Sequence, residues 1–424
     1  MTLQFPGNLA AIRRQFPALN QVRNGRTPIF LDGPGGTQVP QSVIDAMVHY
    51  LQTCNSNHGG VFATTQESDQ ILALAHQSMA DFLNAPSPDE IVFGANMTTL
   101  TFHLSRALAK TWKPGDEIVV TKLDHDANFS PWVLAARDAG ATVRVASVRL
   151  PECTLDLDEI RQLITPRTRL VAVGCASNAV GTVNDVATIG KLAHAQGALV
   201  FLDAVHYGPH GPIDVQAWDC DFLACSAYKF FGPHVGVLWG RTALLRSVTP
   251  YKVRPATEEI PGRWMTGTQN HEGLAGAAAA VRYLAELTPA VDAQSSQAGT
   301  PAFRRRIRQS MESIRAYEQG LSKQLLAGLD KLGGFEVWGI RDEAALDQRV
   351  PTLAIGIPGR NAHELATHLA ARSIYAWNGN MYALNLSESL NLESRGGFLR
   401  LGAVHYNSAE EIESTLQALS EFPR

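Results

Sequence analysis

The run CSAYKFFGPHVGVLWG, residues 225–240, sets Lys229 inside an otherwise apolar, glycine-punctuated stretch. Burying an unpaired ammonium group costs several kcal/mol, and such a group ordinarily gives up its proton instead. A desolvated, neutral amine is a nucleophile able to condense with a carbonyl compound. Other polar residues fall just behind short apolar runs, where the strands of an open α/β sheet deliver ligand-binding groups. Asn96, Met97, Thr98 and Thr99 follow IVFGA and open a helical pattern. Exposed N–H groups and two hydroxyls there suit a phosphate dianion, or a threonine simply caps the helix. His125 lies between Asp124 and Asp126 after VVTK, as a site residue or as a surface or packing histidine. Asn178 follows VAVGCAS, and Asp203 follows ALVFL with His206 close behind. Apolar residues before Asp203 bury it, and a buried carboxylate needs a cationic or donor partner, in a catalytic site or in a structural salt bridge or turn.

Other chemistries lack their motifs. DGPGGT at 32–37 has glycines but neither G-x-G-x-x-G nor G-K-[ST], which disfavours nucleotide binding. The thirteen histidines include no H-E-x-x-H, so no metal site is expected, and no G-x-S-x-G elbow is present. A net charge of -4 without a polybasic block argues against a nucleic-acid partner, FRRRIR at 303–308 being short and helical. The first twenty residues interrupt their apolar positions with polar ones, unlike a signal peptide. No stretch reaches the roughly 18 uncharged apolar residues of a membrane helix. Cys54, Cys153, Cys175, Cys220 and Cys225 show no C-x-x-C spacing and read as reduced thiols of a cytoplasmic protein.

The elements that must position these groups are legible in outline. Between about 90 and 241, β-branched runs (IVFG, DEIVVTK, ATVRVASV, RLVAVGCAS, ALVFLDAV, CDFLACSA, VGVLWG) alternate with helical patterns, the mark of a parallel sheet joined by crossover helices. At 424 residues the chain exceeds one comfortable core, so two domains are expected. TPAVDAQSSQAGTP reads as a connector, followed by a long amphipathic helix from near Phe303. The strands FEVWGI, TLAIGI and GGFLRLGAV then alternate with two helices, the last opening on a Ser408/Glu411 capping box. The divisions are an N-terminal segment at 1–28 packing with the small domain, a large α/β domain at 29–290, and a small α+β domain at 300–424.

Helix-start threonines, a histidine, an asparagine, an aspartate and a lysine thus arrive at successive strand ends. In that order the chain resembles the class V aminotransferase family of pyridoxal-phosphate (PLP) enzymes, and most closely its cysteine desulfurase-like branch. The resemblance runs from IFLDGPGGTQVP to RLGAVHYNSAEEIE. Its most specific segment is LDAVHYGPHGPIDVQAWDCDFLACSAYKFFGPHVGVLWGR, where Asp203 and Lys229 stand 26 positions apart. It implies fold type I, with a mostly parallel seven-stranded sheet and helices on both faces. It implies that Lys229 forms the Schiff base and shuttles protons, that Asp203 pairs with the pyridine nitrogen, and that His125 stacks on the ring. Thr98, Thr99 and Ser226 would bind the phosphate, with Asn178 near the ring oxygen or the substrate carboxylate, and His206 and Tyr228 among the cofactor-binding residues. Gly267 and Thr268 in TGTQ would reach the phosphate of a partner subunit, implying a homodimer with shared active sites. Arg400 in FLRLGAVHYN would grip the substrate carboxylate.

Departures limit what can be carried over. Desulfurases hold a nucleophilic cysteine on a loop before the arginine strand; here that region reads YAWNGNMYALNLSESLNLESRGG and holds none. His206 stands where many relatives have glutamine, and Tyr228 where desulfurases have histidine. The expectation is an enzyme acting on a small α-amino acid through an external aldimine by lyase-type chemistry, either β-elimination or replacement or decarboxylative cleavage. Epimerisation or racemisation, transamination, and a non-catalytic binding protein of the same fold are the alternatives. Trp377, Asn378 and Asn380 either line the entrance or pack there.

Overall fold

The computed structural model describes residues 8–23, 25–290 and 296–423. Parts of the expected N-terminal segment (1–7, 24) and connector (291–295) lie outside them. In chain order the strands are β1 (Ile29–Phe30), β2 (Ile91–Gly94), β3 (Glu117–Thr121), β4 (Thr142–Ala146), β5 (Val148–Arg149), β6 (Thr154–Leu155), β7 (Thr168–Gly174), β8 (Leu199–Asp203), β9 (Phe222–Ser226) and β10 (Gly236–Gly240). They continue as β11 (Glu336–Trp338), β12 (Thr352–Gly356), β13 (Ile374–Tyr375), β14 (Trp377–Gly379) and β15 (Phe398–Gly402).

The apolar runs read from sequence form one seven-stranded sheet in the order β2-β10-β9-β8-β7-β3-β4, with β10 antiparallel to both neighbours and the β9-β8-β7-β3-β4 pairs parallel. Strands buried on both faces need apolar side chains pointing both ways. Phe201 and Phe222 accordingly enter one core with Leu104 and Trp132, while Leu202 and Leu223 enter the other with Phe93 and Leu284. The register places Gly174 opposite Asp203 and Asp203 opposite Ala224. The segments carrying His125, Asn178, His206 and Lys229 therefore leave the same edge of the sheet, where crossover topology opens a ligand crevice.

A four-stranded antiparallel sheet, β11-β12-β15-β14, forms the second layer, with the helices Pro301–Leu332, Ala362–Ala370 and Ala409–Ser420. The Ser408/Glu411 capping box is formed in full. FRRRIR lies in the long helix, where Arg304 pairs with Asp81 and Arg308 with Glu312. The stretch after Tyr375 is more ordered than a bare loop: β14 and a short helix at Leu384–Ser389 interrupt it. The alternation in WNG is too brief to register as a strand in sequence, and pairing with β15 supplies its order. The N-terminal segment packs on the C-terminal part of the chain, with Arg13 donating to the Tyr406 carbonyl at 2.6 Å and pairing with Glu411 at 2.7 Å. No helix of the described residues is long and apolar enough to cross a membrane.

Candidate active site

Lys229 ends a short 3-10 turn, Ala227–Lys229, directly after β9. Its ammonium nitrogen donates to the carbonyl of Pro34 and lies 4.7 Å from the centre of the Tyr228 ring. Burial brings its pKa down to about 7, and the nearby charge of Arg400 acts in the same direction against the weaker pull of Asp203 and Asp32. Asp203, the last residue of β8, is buried and accepts the Val205 N–H at 2.8 Å. Loss of water raises its carboxyl to about 6. The donor partner that its burial demanded is therefore a backbone amide, with the Lys229 charge nearby.

His125 caps a short turn, its Nδ1 accepting the Ala127 N–H at 2.9 Å. Desolvation, reinforced by Lys229 and Arg400, lowers its pKa to about 4, so the ring is neutral with its proton on Nε2. One side of the ring stacks with Tyr382, centroids 5.4 Å apart and planes 16° apart. Asn178 is a junction: its backbone carbonyl accepts from Arg400 Nη1 at 2.9 Å and its amide Nδ2 donates to the Met381 carbonyl at 2.8 Å. Arg400, central in β15, is buried, and burial lowers even its guanidinium, to about 10. His206 is buried and bonds through Nε2 to Thr352 Oγ1 at 3.0 Å.

The phosphate candidates gather one step away. Asn96, rather than a threonine, caps the Met97–Ala109 helix, its Oδ1 accepting from the Thr99 N–H at 2.9 Å and the Thr99 hydroxyl at 3.0 Å. The asparagine outcompetes the threonines because it sits one residue before the first helical turn, where its short side chain reaches the third N–H. Thr98 and Thr99 are exposed on that turn, and Ser226 Oγ accepts from the Met97 N–H at 3.0 Å, tying the end of β9 to the helix start. The approach is closest at Gly236, where an added Cβ would stand 2.4 Å from the Asn96 carbonyl carbon. Tyr228 stacks on His234 with centroids 4.8 Å apart. Gly267 and Thr268 lie on an exposed segment between Trp264 and the His271–Glu286 helix.

Sequence reasoning missed contributors in two segments. The DGPGGT run, set aside as a nucleotide loop, wraps the lysine turn instead: Pro34 accepts from Lys229, and Thr37 N–H donates to the Tyr228 carbonyl at 3.0 Å. Its Gly35 lies so close to Trp377 that a Cβ would meet the indole nitrogen at 2.6 Å. Asp32 of the same run is raised to about 6, mainly by desolvation, against the opposing charges of Arg400 and Lys229. Met381 and Tyr382 both adopt left-handed φ of 57°, and their carbonyls accept from Asn178 and from the Asp126 N–H, pinning the segment across the mouth. A glycine-rich run immediately after a short strand was the available signal for the first, and Met381 and Tyr382 lie in the same stretch as Trp377, Asn378 and Asn380, the residues expected from sequence to line the entrance or pack there.

Arg400 Nε, Asn178 Oδ1 and Asp32 Oδ1 are buried without a hydrogen-bond partner. Buried polar atoms are ordinarily satisfied, so a donor and two acceptors left open in this group fit a polar ligand bearing both a carboxylate and an amine. A lysine whose pKa is brought down to about 7, a buried carboxylate and a helix start tied to the lysine strand fit an aldehyde-bearing, phosphorylated, nitrogenous coenzyme.

A sequence profile of the family Aminotransferase class-V matches residues 29–310 and 302–415. A probable cysteine desulfurase of Vibrio cholerae is 30% identical, covering 97% of this chain and 98% of its own. The apo structure of a cysteine desulfurase from Thermococcus onnurineus superposes with a TM-score of 0.85 at 27% identity, over 99% of this chain and 98% of that one. A more distant chain of the same fold, 20% identical with a TM-score of 0.77 over 97% and 99%, is a C-DES variant with glycine covalently linked to its PLP cofactor. The residues around Lys229 and the full-length match lead to one conclusion: this chain belongs to the class V aminotransferase family of PLP-dependent enzymes, in its cysteine desulfurase-like branch.

Proposed function

We propose that the protein cleaves a small α-amino acid by lyase-type chemistry at the α- or β-carbon and releases the leaving group directly, without passing it through a thiol of its own. The observation that carries this reading is the stretch from Ala376 to Gly397, which touches Asn178 and His125 through Met381 and Tyr382 and contains no cysteine. All five cysteines are buried. Burial pushes the Cys153 thiol up to about 12 and raises Cys175, Cys220 and Cys225 well above the usual thiol range. A buried thiol that holds its proton is a poor sulfur acceptor.

When bound, PLP supplies an electron sink for negative charge developing at the α-carbon. The chain's own residues take defined tasks in this reading. Lys229 holds the coenzyme and moves the α-proton. Asp203 keeps a positive charge on the ring nitrogen, and the neutral His125 ring covers one face. Thr98, Thr99 and Ser226 hold phosphate at the helix start. Asn178, His206 and Tyr228 complete the coenzyme's polar surroundings, and Arg400 binds the substrate carboxylate. Gly267 and Thr268 extend to the site of a second copy.

Purified protein is expected to absorb in the visible range, to bleach with borohydride, and to lose both behaviours in Lys229→Ala. Incubation with cysteine and β-substituted analogues is expected to release the β-substituent, a keto acid and ammonia into solution with no persulfide on the chain. Stoichiometric persulfide on any of the five cysteines would overturn the reading; racemised amino acid or a transaminated coenzyme as the main product would replace it with the corresponding family alternative.

A further inference from the structure

His206 leaves β8 of the large sheet, and Thr352, which opens β12, belongs to the small one. Both are buried, and the two meet through His206 Nε2 and Thr352 Oγ1 at 3.0 Å. Among the described residues His206 is the hydrogen-bond partner recorded for this hydroxyl. A buried hydroxyl with one nitrogen partner can donate its proton to it, leaving only oxygen lone pairs unused, or accept, stranding its own O–H. Buried donors without acceptors are the costlier defect, so Thr352 donates and Nε2 accepts. The ring is neutral because burial, and then the neighbouring His210, Arg400 and Lys229, drive its pKa well below the ordinary value. The single ring proton therefore resides on Nδ1.

The surroundings of His206 are specific. Lys229, Arg400 and His125 bear on it from the coenzyme side. Behind it stands His210, ring centroids 5.2 Å apart, held through Nδ1 by the buried Glu318 at 2.8 Å. Thr352 lies opposite Gly402 in the β12/β15 register, and Ala354 opposite Arg400. The threonine that sets the histidine and the arginine that faces the substrate thus ride on one small sheet.

We propose that Thr352 is a positioning residue: by donating to Nε2 it fixes His206 as an Nδ1–H donor toward an anionic oxygen on the coenzyme ring, and that donor is in place only when the small sheet is seated against the large one. The inference rests on the coenzyme being held at Lys229. A donor to that oxygen stabilises its anion, so removing it raises the pKa of the visible-band titration of the bound coenzyme.

The holoenzyme is titrated by absorbance as wild type, Thr352→Val, Thr352→Ser and Thr352→Val with His206→Gln. Thr352→Val is expected to shift the titration upward by about one unit, the scale of one charge-assisted hydrogen bond. Thr352→Ser is expected to match wild type, because it keeps the hydroxyl. Thr352→Val is expected to add no shift in the His206→Gln background, because an amide donor needs no tautomer. In the apoproteins, 15N shifts of the His206 ring are expected to report an Nδ1–H ring in wild type and loss of that preference in Thr352→Val. A visible band that titrates identically in wild type and Thr352→Val, or an Nε2–H ring in the wild-type apoprotein, overturns the assignment alone. A wild type with no lysine-dependent band overturns the coenzyme reading with it.

Discussion

At the scale of single residues, desolvation is the largest influence on the titratable groups Lys229, Asp203, Asp32 and His125. Lys229 is brought to about 7 chiefly because the folded chain strips water from it. In the proposed reading the nucleophile is the neutral amine, and the proton is lost as pH rises through the folded-state pKa. Capture of PLP by apoprotein is therefore expected to accelerate between about pH 6 and pH 8 and level off above, far below the range of a solvated lysine. Stopped-flow absorbance checks this, and a rate still climbing steeply beyond pH 9 would contradict the depressed pKa. Arg400 makes a complementary case, since its Nη1 is spent on Asn178 while its Nε has no partner. Arg400→Ala removes a charge-assisted contact of about 1.5–3 kcal/mol, so glycine and alanine are expected to bind holoenzyme roughly 10- to 150-fold more weakly. Unchanged affinity in a spectral titration would remove Arg400 from carboxylate binding. Asp203 and Lys229 were legible in sequence because both lie in one contiguous segment at neighbouring strand ends. The partners of Asp32, Tyr382 and Thr352 were not, because they lie far along the chain.

At the scale of elements, the helix Met97–Ala109 has to arrive at the sheet with its first turn open and its position fixed. Asn96 caps it, Ser226 holds the Met97 N–H, and Gly236 lets β10 pass directly behind. Gly236→Ala would force a methyl to 2.4 Å from the Asn96 backbone, which neither partner can absorb without moving. The expected result is a loss of about 1–3 kcal/mol of stability in a denaturant melt together with weaker PLP retention, as overpacking at a backbone contact predicts. Stability and retention equal to wild type would show that the helix start is not held this way. The last helix offers a simpler check, since its capping box was readable from Ser408 and Glu411, three residues apart: Ser408→Ala is expected to cost about 1 kcal/mol in the same melt. β14 shows the opposite situation, a strand created by its β15 neighbour rather than by its own residues.

At the scale of the whole molecule, the two sheets meet through polar contacts as well as apolar ones. Arg349 is buried and donates to the carbonyls of Ile340 and Thr352 and, at 3.2 Å, to that of Val180 across the junction. Arg400, Asn178 and Met381 form a second tie beside the site. The surface also leaves Val61 92% and Phe62 58% exposed at the start of the Ala63–Leu83 helix, with Tyr251 and Val253 exposed elsewhere, an apolar display that suits the proposed second copy. Sedimentation is expected to give a dimer, and Val61→Glu combined with Phe62→Glu is expected to shift it toward monomer and loosen PLP. A wild type that sediments as monomer at micromolar concentration would refute the shared-site arrangement.

By itself the sequence determined the alternation of strands and helices, the aspartate and lysine at adjacent strand ends, and the missing cysteine before the arginine strand, because hydrophobic period, local spacing and residue type are properties of short segments. The tertiary structure alone decided that Thr352 meets His206, that Pro34 receives Lys229, and that Asn178 joins Arg400 to the segment over the mouth. Those pairings depend on strand order, on the register between two sheets and on which buried hydroxyl or carbonyl is left to satisfy a neighbour, none of which is written in the periodicity of any one element.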